Sequence, residues 1–162
     1  MILVLILGVL AIFLLYNVWR GAPYVPSRDN AVQAMIALAA IRPGEQACDL
    51  GSGDGRIVIA LAMAGAIAHG YETNPILVWL SRRKIKKQNL QGRAFIHWNS
   101  LWSANLRDFQ IVTIFGITHI MSELGEKITR EMEPGSRVLS NIFKFENLAL
   151  ADKRGTVGLY KV

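Results

Sequence analysis

Cysteine is nearly absent from this 162-residue chain: Cys48 stands alone, so no internal disulfide can form. A disulfide-framed secreted module is thereby excluded, and a single thiol fits a reducing compartment. Proline is sparse, with five residues, and acids are outnumbered, 12 Asp+Glu against 18 Lys+Arg, for a net charge of +6. Histidine occurs three times. His69 and His97 fall inside strand-like runs without metal-ligand spacing, which argues against a zinc site. Internal repeats and low-complexity tracts are missing, which removes repeat arrays, and a 52% hydrophobic content removes a disordered chain.

The hydrophobic content is unevenly spread. From Met1 to Trp19 only Gly8 and Asn17 fall outside the hydrophobic set. Without that segment the remainder is about 47% hydrophobic, ordinary for a globular domain and too low for a polytopic membrane protein. Eighteen helical residues would span about 27 Å, just short of a hydrocarbon core of roughly 30 Å. Tyr16, Trp19 and Arg20 form an interfacial border. A cleaved signal would carry a basic start and a small-residue cleavage site, and a packed core helix would rarely end in such a border. The segment 1–19 is therefore expected to be a transmembrane anchor. Arg20 and Arg28 follow it and no Lys or Arg precedes it, which places the rest on the cytoplasmic or matrix-like side.

Residues 20–45 read as a linker, Gly21 to Pro26, and a pre-domain helix from a Ser27 cap to about Ala40. From 46 to 162 short β-like runs alternate with helical runs. Strands are expected at Gln46–Leu50, Ile67–Tyr71, Arg93–His97, Ile111–Phe115, Arg137–Phe143 and Thr156–Tyr160. Helices are expected at Gly55–Ala64, Pro75–Gln88 and Met121–Met132. Asp152 to Gly155 reads as a turn. This alternation predicts an α/β, Rossmann-like, doubly wound sheet, mostly parallel, with helices on both faces and an antiparallel C-terminal strand.

The chemistry concentrates in Cys48-Asp49-Leu50-Gly51-Ser52-Gly53-Asp54-Gly55-Arg56, between the first strand and its helix. Alternate glycines there let the chain turn tightly and a ligand approach without Cβ clashes. Glu72 ends the next strand, where a carboxylate can accept both hydroxyls of a ribose. A phosphate-binding P-loop would need Lys-Ser/Thr after its last glycine, but Arg56-Ile57 follow Gly55; the glycine spacing also departs from the dinucleotide fingerprint.

The G-x-G-x-G form behind Asp49 resembles motif I of class I S-adenosylmethionine-dependent methyltransferases. The resemblance narrows over Pro23 to Ser27, Asp49 to Ile59, Gly70-Tyr71-Glu72-Thr73-Asn74-Pro75, Leu101-Trp102 and Ile114-Phe115-Gly116. These segments are similar to a family of membrane-anchored methyltransferases that includes the ATP synthase c-subunit and adenine nucleotide translocase lysine methyltransferases. The likeness covers about Tyr24 to Phe145. It implies S-adenosylmethionine as cofactor, with Asp49, Gly51, Ser52, Gly53, Asp54 and Gly55 near the methionyl moiety and Glu72 on the ribose. Asn99, Ser100 and Leu101 would flank adenine, with Phe115 lining the same site. The family carries an acidic residue where this chain has Ser100, so adenine's amino group would be met by Asn99, Ser100 or backbone carbonyls.

By the same resemblance the acceptor is a lysine of a membrane or membrane-adjacent protein; a lipid, a quinone precursor or another hydrophobic small molecule is the alternative acceptor. A cofactor-binding scaffold without turnover is the reading from another class. Transfer to nitrogen needs a neutral amine, and lysine's pKa of about 10.4 leaves little of it at neutral pH. A narrow apolar channel would lower that pKa and align the reactants. Tyr24, Trp102, Thr118 and His119 are candidates for the acceptor pocket, and His119 is the candidate proton acceptor; no strong base is evident. The Asp/Asn-Pro-Pro-aromatic motif of many amino-methylating enzymes is lacking, against adenine-N6 or glutamine methylation.

Five of the six residues from Arg82 to Lys87 are basic. They suit a solvated helix face or attraction to anionic lipid headgroups. Nucleic acid is the weaker partner, because no aromatic platform is interleaved with the run.

Overall fold

The computed structural model describes Gly8, residues 27–116 and residues 118–162. The expected anchor (Gly8 apart) and the linker with Tyr24 lie outside the described residues, as does Ile117. Among the described residues no helix is long and apolar enough to cross a membrane.

The described chain runs α1 (Asp29–Ala39), β1 (Gln46–Leu50), α2 (Arg56–Met63), β2 (Ile67–Glu72), α3 (Pro75–Lys87) and β3 (Ala94–Trp98). Two single-turn 3-10 helices, Leu101–Ser103 and Leu106–Asp108, lead to β4 (Ile111–Ile114), α4 (Thr118–Glu131), β5 (Arg137–Asn141), β6 (Ala149–Arg154) and β7 (Val157–Lys161). The seven strands form one sheet in the order β3-β2-β1-β4-β5-β7-β6. β1 to β5 pair in parallel, and β7 enters antiparallel between β5 and β6. The expected mostly parallel, Rossmann-like sheet with an antiparallel last strand is observed. Its strand order reverses at β1/β4, the place where such sheets open a crevice at the strands' carboxyl ends.

Two apolar layers hold the sheet. On one side Met35 of α1, Ile57 and Leu61 of α2 and Val78 and Ile85 of α3 pack with Ala47, Ala68 and Ile96. On the other, Met121, Leu124 and Ile128 of α4, with Leu106, pack against Cys48, Leu50, Val112 and Ile114. β4 is buried throughout, so it reads as an apolar run broken only by Thr113. Complete burial of Met35 contributes about 2 kcal/mol to holding α1 on the sheet. Arg137 fastens the end of that helix, donating to the carbonyls of Ala39 and Ala40 while pairing with Glu45.

Three expectations are corrected. Ser27 does not cap α1: Arg28 holds the N-cap position without a side-chain cap bond, and Ser27 is buried with its carbonyl accepting from Arg56. α4 begins at Thr118 rather than Met121, because Thr118 and His119, which open it, are polar and exposed and carry no apolar signal. The segment read as a turn at 152–155 belongs largely to β6. Every residue of that edge strand is exposed, so it lacks the alternation that marks a strand, and Asp152, Lys153 and Arg154 blunt the edge against further pairing.

Candidate functional site

The site is built at the carboxyl ends of β1, β2 and β4. The chain leaves β1 through Gly51 and Ser52, whose amides both donate to the Tyr71 carbonyl at 2.9 and 3.0 Å. It then turns through Gly53 and Gly55 into α2. All three alternate glycines have positive φ, +80°, +52° and +78°. At Gly51 a Cβ would meet nothing within 4 Å, so the backbone angle demands glycine there and the space beside it is open. At Gly55 crowding adds to the angle, since a Cβ would come within 2.8 Å of Ser81 Cβ. Ser81 also donates its hydroxyl to the Gly53 carbonyl at 3.0 Å, tying the loop to α3.

Glu72 is placed where the sequence put it, at the end of β2 facing the loop. Its Oε2 accepts from the Gly53 amide at 2.9 Å and its Oε1 from the Asn74 amide at 2.8 Å. Two backbone donors therefore fix the carboxylate's plane, while each oxygen keeps acceptor capacity for another group. Asn74 in turn caps α3, accepting from the Ile76 and Leu77 amides.

Asp49 is buried at the end of β1, 2% exposed. Burial is the main cause that pushes its carboxyl up to about 7; the nearby Glu72 and Asp54 charges push the same way, and a hydrogen bond from Thr113 opposes them. Thr113 is a site residue that sequence reasoning missed. Its hydroxyl donates to Asp49 Oδ1 at 2.7 Å, from the position that pairs with Asp49 across β1 and β4. The signal was present as the one polar residue in an otherwise apolar strand run.

Asp54 plays a different part from its loop neighbours. Arg56 meets both of its oxygens at 2.9 and 3.0 Å, and Lys84 reaches Oδ2. Burial alone would raise its pKa, but these cationic partners outweigh it and bring the carboxyl down to about 2. Its side chain thus clasps α2 to α3, and only its backbone shapes the glycine loop.

Beyond β3, Asn99 donates its amide to the Glu72 carbonyl at 3.0 Å, so the segment from Asn99 to Leu101 starts beside Glu72. The Asn99 side chain accepts from the Ser100 amide, and the Ser100 hydroxyl accepts from the Trp102 amide, capping the 3-10 turn that carries Leu101 and Trp102. Trp102 is 36% exposed. Phe115, after β4, is half-buried with its ring 6.0 Å from that of Phe143. Thr118 and His119 open α4; His119 is exposed on its first turn. His69 and His97 face each other across β2 and β3, Nδ1 to Nε2 2.9 Å, and burial holds both below the ordinary imidazole range. Among the described residues no three His, Cys, Asp or Glu side chains group as a metal site.

Such an arrangement can hold a nucleoside with a cationic tail. Glu72 offers acceptors to vicinal hydroxyls, the open side of Gly51 admits a ligand against bare backbone, and Asp49 supplies a buried acid for a positive group. Ser52 Oγ is buried without a hydrogen-bond partner among the described residues, an unsatisfied group in the same loop.

The comparisons with known proteins point the same way. Residues 49–152 match the family model described as the ANTKMT methyltransferase domain. The ATP synthase c-subunit lysine N-methyltransferase of Rattus norvegicus is 40% identical over 123 residues, covering 76% of this chain and 56% of the rat protein. This chain therefore spans little more than half the length of that relative. A protein-lysine N-methyltransferase of Saccharolobus islandicus (strain REY15A) is 32% identical over 124 residues, covering 75% of this chain and 77% of the archaeal protein. In three dimensions, an RNA methyltransferase from Salinibacter ruber, crystallised with S-adenosyl-L-homocysteine, superposes with a TM-score of 0.78 at 28% identity. That match covers 85% of this chain and 92% of the other. The glycine loop and Glu72 both lie within residues 49–152, and this chain belongs to the ANTKMT methyltransferase domain family.

Proposed function

We propose that this protein is a membrane-anchored, S-adenosylmethionine-dependent protein-lysine N-methyltransferase acting on a membrane or membrane-adjacent protein. The observation that carries the reading is the pairing of Glu72, fixed by the Gly53 and Asn74 amides, with the buried Asp49 beside an open glycine loop. Glu72 would take the ribose hydroxyls, the segment Asn99 to Leu101 would flank adenine, and Asp49 with the Gly51–Gly53 backbone would face the methionyl end. When bound there, the cofactor supplies an electrophilic methyl group.

The acceptor nitrogen must arrive neutral. The protein's contribution is to desolvate and align the amine. Phe115 and Phe143, whose rings lie 6.0 Å apart beyond β4 and β5, offer apolar walls, Trp102 is a further candidate wall from the turn after β3, and desolvation against such walls favours the free base. Thr118 and His119, at the start of α4, border the approach. The names of the relatives support lysine as acceptor, and the apolar run at 1–19 supports confinement to a membrane with the catalytic domain on its cytoplasmic or matrix-like side.

Transfer of a radiolabelled methyl group to isolated membranes tests the acceptor class. Protease-sensitive label on lysine supports the reading. Label confined to the solvent-extracted lipid phase would replace it with the hydrophobic small-molecule reading, and ribonuclease-sensitive label with a nucleic-acid one. Cofactor binding without turnover on any fraction would leave a scaffold.

A further inference from the structure

The basic run at 82–87 does not form one uniform face once folded. Arg82 turns inward, donating through Nε and Nη2 to the Ile96 carbonyl at 3.2 and 2.7 Å, and Lys84 is drawn onto Asp54. Arg83, Lys86 and Lys87 make no ion pair with any described residue, and Arg83, Lys86 and Lys87 all lie on the outer side of the helix.

At 3.6 residues per turn these three share an arc of about 100° with Ile76 and Trp79, opposite the buried Val78, Ser81 and Ile85. Ile76 is 69% exposed and Trp79 59%. The Arg83 guanidinium lies over the Trp79 ring, 5.5 Å from its centroid. Trp98 extends the patch at the helix's N-terminal end: its indole N–H donates to the Thr73 carbonyl at 3.0 Å, which fixes the ring while leaving it 65% exposed. Three large apolar side chains thus cluster at the carboxyl end of the sheet, beside the nucleoside site, with three cations along the same face. Leaving two indoles and an isoleucine in water is unfavourable unless something covers them.

We propose that the outer face of α3, together with Trp98, docks onto an anionic lipid membrane. Ile76, Trp79 and Trp98 enter the headgroup–acyl boundary, where indole rings partition, and Arg83, Lys86 and Lys87 meet lipid phosphates. Charge complementarity selects the occupant. The aliphatic, exposed Ile76 suits acyl chains and offers nothing to a nucleobase. The inference rests on the membrane-associated reading above for its setting, and it deepens that reading. Docking by this face brings the rim of the cofactor site down to the bilayer surface, and an N-terminal span alone would leave the domain free to tumble.

The lone, fully buried Cys48 makes a clean test. In the full chain, Ile76→Cys is labelled with an environment-sensitive fluorophore and mixed with vesicles of pure phosphatidylcholine or of phosphatidylcholine with phosphatidylserine. Docking predicts a blue shift with the anionic vesicles only, reversed by high salt. The triple variant Arg83→Ala, Lys86→Ala, Lys87→Ala should weaken that response about a hundredfold, about fivefold per cation. Sedimentation of the chain with pure phosphatidylcholine vesicles reports the anchor separately. A chain that sediments while its label never shifts overturns the docking face and leaves the anchor standing. A label that shifts on anionic vesicles in a chain that ignores neutral ones supports the docking face and overturns the anchor. A shift produced by single-stranded RNA and absent with anionic vesicles overturns the lipid assignment.

Discussion

Thr113 and Asp49 face each other across the two central strands, the threonine hydroxyl donating to the carboxyl at 2.7 Å inside a fully buried layer. This single polar contact offsets part of the cost of a buried acid at the end of β1. Burial still dominates and holds the carboxyl at about 7, against an ordinary value of 3.8. Asp49 is therefore poised to ionise near neutral pH and to do so more readily when a cation arrives.

The sign of the stability effect follows from that elevation. Below about pH 4 both folded and unfolded chains keep the proton. Between about pH 4 and about pH 7 the unfolded chain loses it while the folded chain retains it, so stability declines as pH rises through this window and levels off above it. Asp49→Asn should abolish that slope in denaturant titrations. Its removal should also abolish the tightening of S-adenosylmethionine binding expected as pH rises from about 6 to about 8, at most about tenfold per pH unit.

Thr113→Val keeps the shape and removes the hydroxyl. The loss is expected to cost about 1–3 kcal/mol of stability in chemical denaturation, the usual penalty for leaving a buried polar partner unsatisfied. The pH at which Asp49 ionises should move further upward, read as a shift in the binding profile to higher pH.

Glu72→Ala removes an acceptor held by two amides. Two charge-assisted hydrogen bonds to ribose are each worth about 1.5–3 kcal/mol, so cofactor affinity by calorimetry should fall at least about a hundredfold. An unchanged affinity would remove the ribose assignment.

Gly70 lies on β2 directly beneath the glycine loop. A Cβ there would come within 2.6 Å of Ser52 Oγ, 2.7 Å of Ser52 Cβ and 2.8 Å of Val58 Cγ2. Gly70→Ala should therefore displace the loop and α2 together, lowering the unfolding midpoint by an amount equivalent to about 1–3 kcal/mol. Cofactor affinity should fall with it; a variant that binds normally would show that the loop tolerates the displacement.

Much of this could be read from the chain. The strands from β1 to β5 are short β-like runs alternating with helical ones, and the glycine loop with Glu72 located the candidate site because both lie at strand ends, where local sequence shows the chain turning. What escaped depends on register or on pairing at a distance. Thr113 gains its meaning only from lying opposite Asp49, and Ser81 only from the approach of α3 to Gly53. The run 82–87 looks uniform in sequence, and tertiary contacts to Ile96 and Asp54 divide it into inward and outward cations. β6, exposed along its whole length, carries no apolar signal at all.

Confinement to a membrane has its own check. Deleting residues 1–19 should move the protein from the membrane pellet toward the soluble fraction on cell fractionation, most completely at high salt, which weakens attraction to anionic lipid. Full retention in the pellet at high salt would contradict an anchor in that segment.

We propose lysine on a membrane or membrane-adjacent protein as the methyl acceptor of this chain. That assignment is tested most directly by mass spectrometry of membrane proteins incubated with the enzyme and S-adenosylmethionine, alongside the Glu72→Ala variant. One or more lysines should gain methyl groups with the native protein and remain unmodified with the variant. Equal lysine methylation in both samples, or none in either while methyl groups accumulate in lipid or RNA, would contradict it.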